Sequence, residues 1–215
     1  MIRQSIVRYT STKLLTLALF ALTGLAGCGP QSQPQSQSQP QSQPQSQPLS
    51  DAQIHAAQPV SDWSGFAKIA RDGNFYFAAQ PSEAALRQAP ERDIKVVVNL
   101  RTDAEMADRD KVAFDEAALV RDLGISYVTI PVTPKTLSMK DVEKLEEVLR
   151  NTSGPVLIHC HSSNRVGVLW GLYLNQFRGF DLPDAIDLGV KAGAKETGVA
   201  AIKQAAAAST EQIKQ

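Results

Sequence analysis

Apolar residues fall along this chain in two alternating patterns. Pro155-Val156-Leu157-Ile158, the run from Ile94 to Leu100 and Ser126 to Ile130 are short, rich in β-branched residues and nearly uninterrupted, the pattern of strands covered on both faces. Between them the period lengthens. Val112, Leu119, Val120 and Leu123 have helical spacing and predict a helix over 110–123 that stops at Gly124, and Val142, Leu145, Val148 and Leu149 predict another. Val166 to Phe177 is apolar all round, as a buried helix would be. Earlier, 66–69 and 75–77 flank Arg71-Asp72-Gly73-Asn74, a turn cluster that predicts a hairpin, and Ser82 caps a short helix over 83–88 stopped by Pro90. Later, Gly179 and Pro183 lead into a helix over 185–194, and an alanine-rich helix follows over 199–208. Alternating strands and helices imply an α/β domain with a mainly parallel central sheet and helices on both faces.

The first 58 residues do not share this pattern. Arg3, Arg8 and Lys13 form a basic start without an acid, and 14–22 form an apolar core too short to span a bilayer. Residues 1–27 are therefore expected to be a signal peptide. The junction Leu25-Ala26-Gly27-Cys28 resembles a bacterial lipobox, which makes Cys28 the expected lipidation site; an ordinary signal peptide that happens to contain a cysteine is the alternative. Gln31 to Pro48 is built of Gln, Ser and Pro and has no apolar residue with which to order itself. We assign 28–58 to a disordered linker. Its length reaches about 30 Å as a coil and about 90 Å if extended, so the domain over 59–215 would stand off a membrane held through lipid on Cys28. The expected location is the bacterial cell envelope, facing the periplasm or the exterior.

Charge narrows the partners. The whole chain has 22 Lys+Arg and 22 Asp+Glu, and cleavage before Cys28 would leave 19 basic against 22 acidic residues. No basic excess suggests nucleic acid. There are two cysteines in all, and with Cys28 acylated, Cys160 has no partner for a disulfide. An unpaired thiol in an oxidising compartment calls for a reason.

Cys160 sits in His159-Cys160-His161-Ser162-Ser163-Asn164-Arg165-Val166-Gly167, between a predicted buried strand and a predicted helix. A turn in that position aims backbone N–H groups and the positive end of the helix at one point, where a phosphate-like anion is favoured. A helix N-terminus and a nearby guanidinium both favour the thiolate, the reactive form of cysteine, and Arg165 adds a fork of donors matched to phosphate oxygens. Cys160 and Arg165 are the expected catalytic pair. His161, Ser162, Ser163, Asn164, Val166 and Gly167 are expected to surround the substrate.

The His-Cys start, the arginine that closes the loop and the helix from Val166 to Tyr173 resemble the cysteine-dependent tyrosine and dual-specificity phosphatase superfamily. Ala79-Gln80-Pro81-Ser82, Val97-Val98-Asn99-Leu100-Arg101 with Glu105, and Ile130-Pro131-Val132 resemble its bacterial group, the phosphatase domain of beta-lactamase hydrolase-like proteins. The resemblance covers roughly 63–200. It implies a phosphatase-like fold, a phosphorylated substrate and hydrolysis of phosphomonoesters through a phosphocysteine. Two departures stand out. Four residues separate Cys160 from Arg165 where most of the superfamily has five, and Val166 replaces the usual Ser or Thr.

The four-residue spacing is that of rhodanese sulfurtransferases, which leaves a Cys160 persulfide as one alternative. A non-catalytic domain that only binds oxyanions is another, and Val166 favours it. So does the stretch 132–137, where the superfamily usually places an acidic loop: it offers Thr133, Lys135 and Thr136 but no aspartate. Asp141 is expected to cap the next helix with Ser138, and His161 is the substitute proton donor within reach. Arg101, Asp103 and Glu105 lie where open sheets bind ligands, but a local ion pair and a helix start are the plainer expectation. His159 either steadies the loop or merely packs. No cofactor or metal is called for, since cysteine and arginine supply nucleophile and charge.

Overall fold

The computed structural model describes residues 54–133 and 136–213. The expected signal peptide, Cys28, the linker up to residue 53 and Lys135 lie outside the described residues. Within the described chain the fold begins a little before residue 59. Ile54 and Ala57 are buried, and the His55 N–H donates to Asp72 Oδ2 at 2.8 Å.

β1 (Gln58–Pro59) and β2 (Ile69–Asp72) pair antiparallel, as do β2 and β3 (Phe75–Ala78). Gly73, at φ +53°, takes the first position of the two-residue turn between β2 and β3, where a hairpin needs positive φ. α1 (Glu83–Arg87) starts on Ser82, whose Oγ accepts the Ala85 N–H at 3.1 Å. Then follow β4 (Val96–Asn99), α2 (Asp103–Ala107), α3 (Glu116–Asp122), β5 (Ser126–Thr129), α4 (Met139–Arg150) and β6 (Val156–His159). The chain closes with α5 (Asn164–Phe177), α6 (Leu182–Ala192) and α7 (Glu196–Ile213).

The strand order is β1-β2-β3-β6-β4-β5, and β3, β6, β4 and β5 run parallel. Both faces of these central strands are covered. Val96, Val98, Val156 and Ile158 join the core that holds α5 and its neighbours, while Val97 and Leu157 join Leu86, Leu119 and Val120 on the other side. The expected α/β architecture, mainly parallel with helices on both faces, is what the structure has. Its register places the site: Ala78, His159, Asn99 and Thr129 form one rung across the C-terminal ends of the four strands, so the loops that follow all leave from one edge.

Two helix bounds differ from the sequence pattern. The helix expected over 110–123 begins only at Glu116, because Asp115 caps it by accepting the Ala118 N–H at 3.0 Å; Val112 is buried all the same, without helical backbone. α7 is longer than its apolar residues suggest, since alanine needs no packing to favour helix.

Trp170 of α5 joins sheet and helices. Its ring lies 4.8 and 4.9 Å from Phe75 and Phe77 and 5.1 Å from Tyr173, centroid to centroid. Replacing Trp170 with Ala should lower unfolding free energy by about 3–5 kcal/mol, read as a lower denaturant midpoint with an unchanged slope; a loss below ~1 kcal/mol would contradict this packing.

Candidate active site

Cys160 is the first residue past β6 and is 1% exposed. Its N–H donates to Ala78 O at 3.2 Å, and the Gln80 N–H donates to His161 O at 3.3 Å, so the exit of β3 holds the start of the loop. Ser163 turns the chain into α5 with φ +68°. Among the described residues, no main-chain acceptor meets the N–H groups of His161, Ser162, Arg165 or Val166. They are the orphan donors of a helix start and its preceding turn, and they remain available to an anion.

The expected substrate-binding residues divide into two groups. His161 is exposed and Ser162 half-buried. The side chains of the others turn into the protein, so that only their main chain could face a substrate. Ser163 Oγ donates to Ala192 O at 2.9 Å, Asn164 Oδ1 accepts the Lys195 N–H at 2.7 Å, and Val166 is buried in the core. Gly167 lies outside the cradle altogether: its N–H donates to Ser163 O, and a Cβ there would fall 2.1 Å from Ala194 N and 2.3 Å from Gly189 O. It is a packing glycine.

Arg165 is gripped from several sides. Nη1 donates to Glu105 Oε2 at 2.8 Å and to Val132 O at 2.8 Å, and Nη2 donates to Glu105 Oε1 at 2.7 Å. The hydrogen bonds to Glu105 raise the Arg165 pKa most. Glu105 is aimed by α2 itself: its Oε2 accepts the Thr102 N–H at 3.0 Å while Thr102 Oγ1 accepts the Glu105 N–H at 3.3 Å. The Arg165 hydrogen bonds hold its carboxyl down to about 2.

A second guanidinium shares that carboxylate. Arg101, 1% exposed, has Nε 3.6 Å from Glu105 Oε1, and its Nη1 donates to Gln80 Oε1 at 2.6 Å. Gln80 Nε2 donates in turn to Glu116 Oε2 at 2.5 Å. Glu116 lies beneath the loop, with Oε1 accepting from Tyr127 Oη at 2.9 Å and standing 2.8 Å from His159 Nε2. The imidazole is close but not aligned for a regular hydrogen bond, so the contact is electrostatic. Burial alone would raise the Glu116 carboxyl; the His159 charge and the hydrogen bonds from Gln80 and Tyr127 outweigh it and leave the carboxyl low. Burial and the Glu116 charge push the Tyr127 hydroxyl well above its usual range.

His159 therefore does not bond the loop backbone; it belongs to a buried charge network under it. Asp141 caps α4 as expected, its Oδ2 accepting the Ser138 N–H at 2.9 Å. Glu105 is more than the local ion pair expected of it. Nothing in the residue pattern marks Glu116 as a site residue, because an acid in a predicted helix reads as solvated.

Comparison with known proteins fits this geometry. A family model described as beta-lactamase hydrolase-like protein, phosphatase-like domain, matches residues 70–176. Over that stretch the chain is similar to the phosphatase-like domain of this family. A beta-lactamase hydrolase-like protein of Xylella fastidiosa is 27% identical over 95 residues, which is 44% of this chain and 22% of the relative. The chain thus spans about a fifth of the curated relatives it matches. Among solved structures, P. aeruginosa TpbA in complex with phosphotyrosine is similar at TM-score 0.53 and 20% identity, over 69% of this chain and 86% of that one. PTPMT1 in complex with PI(5)P is similar at TM-score 0.51 and 11% identity, over 65% and 94%. These likenesses establish the fold of the phosphatase-like domain.

The Glu105 clamp makes a prediction in acid. With its folded pKa depressed from 4.5 to about 2, Glu105 contributes stability that is complete above about pH 4.5 and is lost as pH falls toward 2. Glu105→Gln should therefore melt lower than wild type at pH 6, and the gap should narrow by pH 2.5; a gap that stays constant would refute the clamp.

Proposed function

We propose that the chain is a cysteine-dependent phosphomonoesterase of tyrosine or dual-specificity type. One observation supports this most: the Arg165 guanidinium is fixed at two points by Glu105 at the end of the loop that Cys160 begins, and the amides between them have no other main-chain acceptor. The Cys160 thiolate attacks phosphorus in line with the ester oxygen, the S–P bond forms as the P–O bond breaks, and the leaving oxygen departs as an alkoxide or phenoxide that takes its proton from solvent. Arg165 and the amides of the loop hold the remaining phosphoryl oxygens as charge moves onto them. Water then attacks the phosphocysteine, the P–S bond breaks, and inorganic phosphate departs with the thiolate restored.

The proton for the leaving oxygen has no dedicated aspartate. In the segment after β5, Thr133 and Thr136 bond each other at 2.9 Å, and His161 is the exposed titratable group in the loop. Lack of a placed acid forfeits ~10²- to 10⁴-fold in rate for a poor leaving group. Esters of acidic alcohols, which depart without help, should react best.

The four-residue spacing keeps a sulfurtransferase reading open, and Val166 keeps open an oxyanion-binding domain without turnover. The full chain, assayed with an aryl phosphate and separately with thiosulfate and cyanide, tells them apart. We expect phosphate release that falls at least ~10²-fold in Cys160→Ser and in Arg165→Ala. Thiocyanate without phosphate would replace this reading with sulfur transfer. No turnover, with phosphate still raising the melting temperature unless Arg165 is changed, would replace it with a binding module.

The same proposal extends to location. Lipid on Cys28 would tether the domain at the cell envelope through a Gln/Ser/Pro spacer. Cys28→Ala should then move the protein from the membrane to the soluble fraction, and unchanged retention would refute lipid anchoring.

A further inference from the structure

A second recess lies at the opposite end of the sheet from Cys160. Gln58 stands opposite Arg71 in the pairing of β1 with β2, and Arg71 stands opposite Tyr76 in the pairing of β2 with β3. Directly opposite residues share a face, so these three side chains form one row. They line a recess of about 330 Å³ together with Ser61, Asp62 and Arg92. Gly73, which also lines it, precedes β3, and Arg92 precedes β4; both strands run parallel to β6, whose far end leads into Cys160.

Both guanidinium groups lie on aromatic rings. Arg71 Cζ is 5.0 Å from the Tyr76 centroid and Arg92 Cζ is 4.8 Å from the Trp63 ring, while the two rings meet edge to face at 5.3 Å. Their free donors differ. Arg92 commits its Nη groups to Asp62, donating to Oδ2 at 3.2 Å and to the main-chain O. Arg71 donates through Nε to Gly73 O at 2.7 Å, and among the described residues its Nη1 and Nη2 meet no acceptor. Tyr76 carries the stronger signal. It is 3% exposed, yet its hydroxyl has no hydrogen-bond partner among the described residues, where a buried tyrosine usually finds one. Fork and hydroxyl are thus fixed in place beside an open recess, ready for an acceptor from outside the chain.

Charge narrows the class of ligand. Arg71 and Arg92 against Asp62 leave one surplus positive charge in the lining, which a single negative charge balances. A phosphodiester carries that charge on two oxygens matched to an arginine fork. Its bridging oxygens add acceptors for the Tyr76 and Ser61 hydroxyls, which a carboxylate lacks. We infer that Arg71 and Tyr76 form a phosphodiester-binding site, taking either a phospholipid headgroup or a soluble diester. β1 is the element that the proposed tether reaches first, which brings headgroups within range. The site shares no residue with the Cys160 loop and does not rest on the phosphatase reading.

Calorimetry on the full chain with glycerophosphoglycerol tests the site, with acetate as control. Arg71→Gln should weaken glycerophosphoglycerol binding at least ~tenfold, the scale of hydrogen bonds to a charged group. Tyr76→Phe should weaken it severalfold with an unchanged melting temperature, because the hydroxyl has no internal partner to lose. Asp62→Asn, which removes the carboxylate from the lining, should tighten it severalfold. Cosedimentation with phosphatidylglycerol vesicles then identifies the source. The same order among the variants supports a lipid headgroup, and vesicle binding indifferent to Arg71 beside Arg71-dependent binding of glycerophosphoglycerol supports a soluble diester. Neither probe bound in an Arg71-dependent way, or acetate bound as tightly as glycerophosphoglycerol, overturns the site and leaves the chemistry at Cys160 untouched.

Discussion

The contact on which the site depends is the carboxylate of Glu105 between two guanidinium groups. One oxygen takes Nη2 of Arg165 and lies near Arg101, the other takes Nη1 of Arg165, and the capping box of α2 fixes the carboxylate in turn. A free arginine side chain samples many rotamers, and ordering it is costly in entropy. Here the fork is set before any substrate arrives, which is what a planar two-point ion pair provides and a lysine could not. The arrangement also balances charge: two buried or half-buried cations would repel each other, and the shared anion makes their proximity tolerable.

That contact is possible because of the sheet. β4 and β6 end on one rung with Asn99 opposite His159, so the chain after β4 and the chain after β6 leave side by side. Arg101 and Glu105 follow one strand, Cys160 and Arg165 the other. Gln80, just past β3, ties both to a third element by touching Arg101 and Glu116 with the two ends of its amide. The buried His159 and Glu116 pair sits under this ring of contacts. Burying a carboxylate is expensive, and Glu116 persists with both oxygens engaged by Tyr127, Gln80 or His159. Its polarity fixes the rotamers beneath Cys160, where an apolar core would leave freedom.

Much of this was legible in the residues alone, for physical reasons that also explain what was not. Strands buried on both faces announce themselves, so Ile94 to Leu100 and Val156 to Ile158 were plain. A cysteine and an arginine flanking a strand-to-helix turn carry their chemistry in sequence, because the loop between them is local. Gly167 is closely approached by Gly189 and Ala194, more than twenty residues later, a packing role that its place in the motif does not reveal. Glu105 and Glu116 could not be resolved either, since their partners lie sixty and forty-three residues downstream, and only the strand order brings them together. What sequence withholds is long-range pairing of ordinary polar residues.

The missing aspartate and the proposed tether fit one another. An enzyme that does not protonate its leaving group is restricted to substrates that need little help, and aromatic or otherwise apolar alcohols of low pKa are such substrates. A slow site can still serve if its substrate is concentrated near it. Under the proposed anchoring, a spacer of the Gln/Ser/Pro length holds the domain within tens of ångströms of a surface, and confinement of that kind raises effective concentration toward the millimolar range. Proximity would then supply what the absent acid does not.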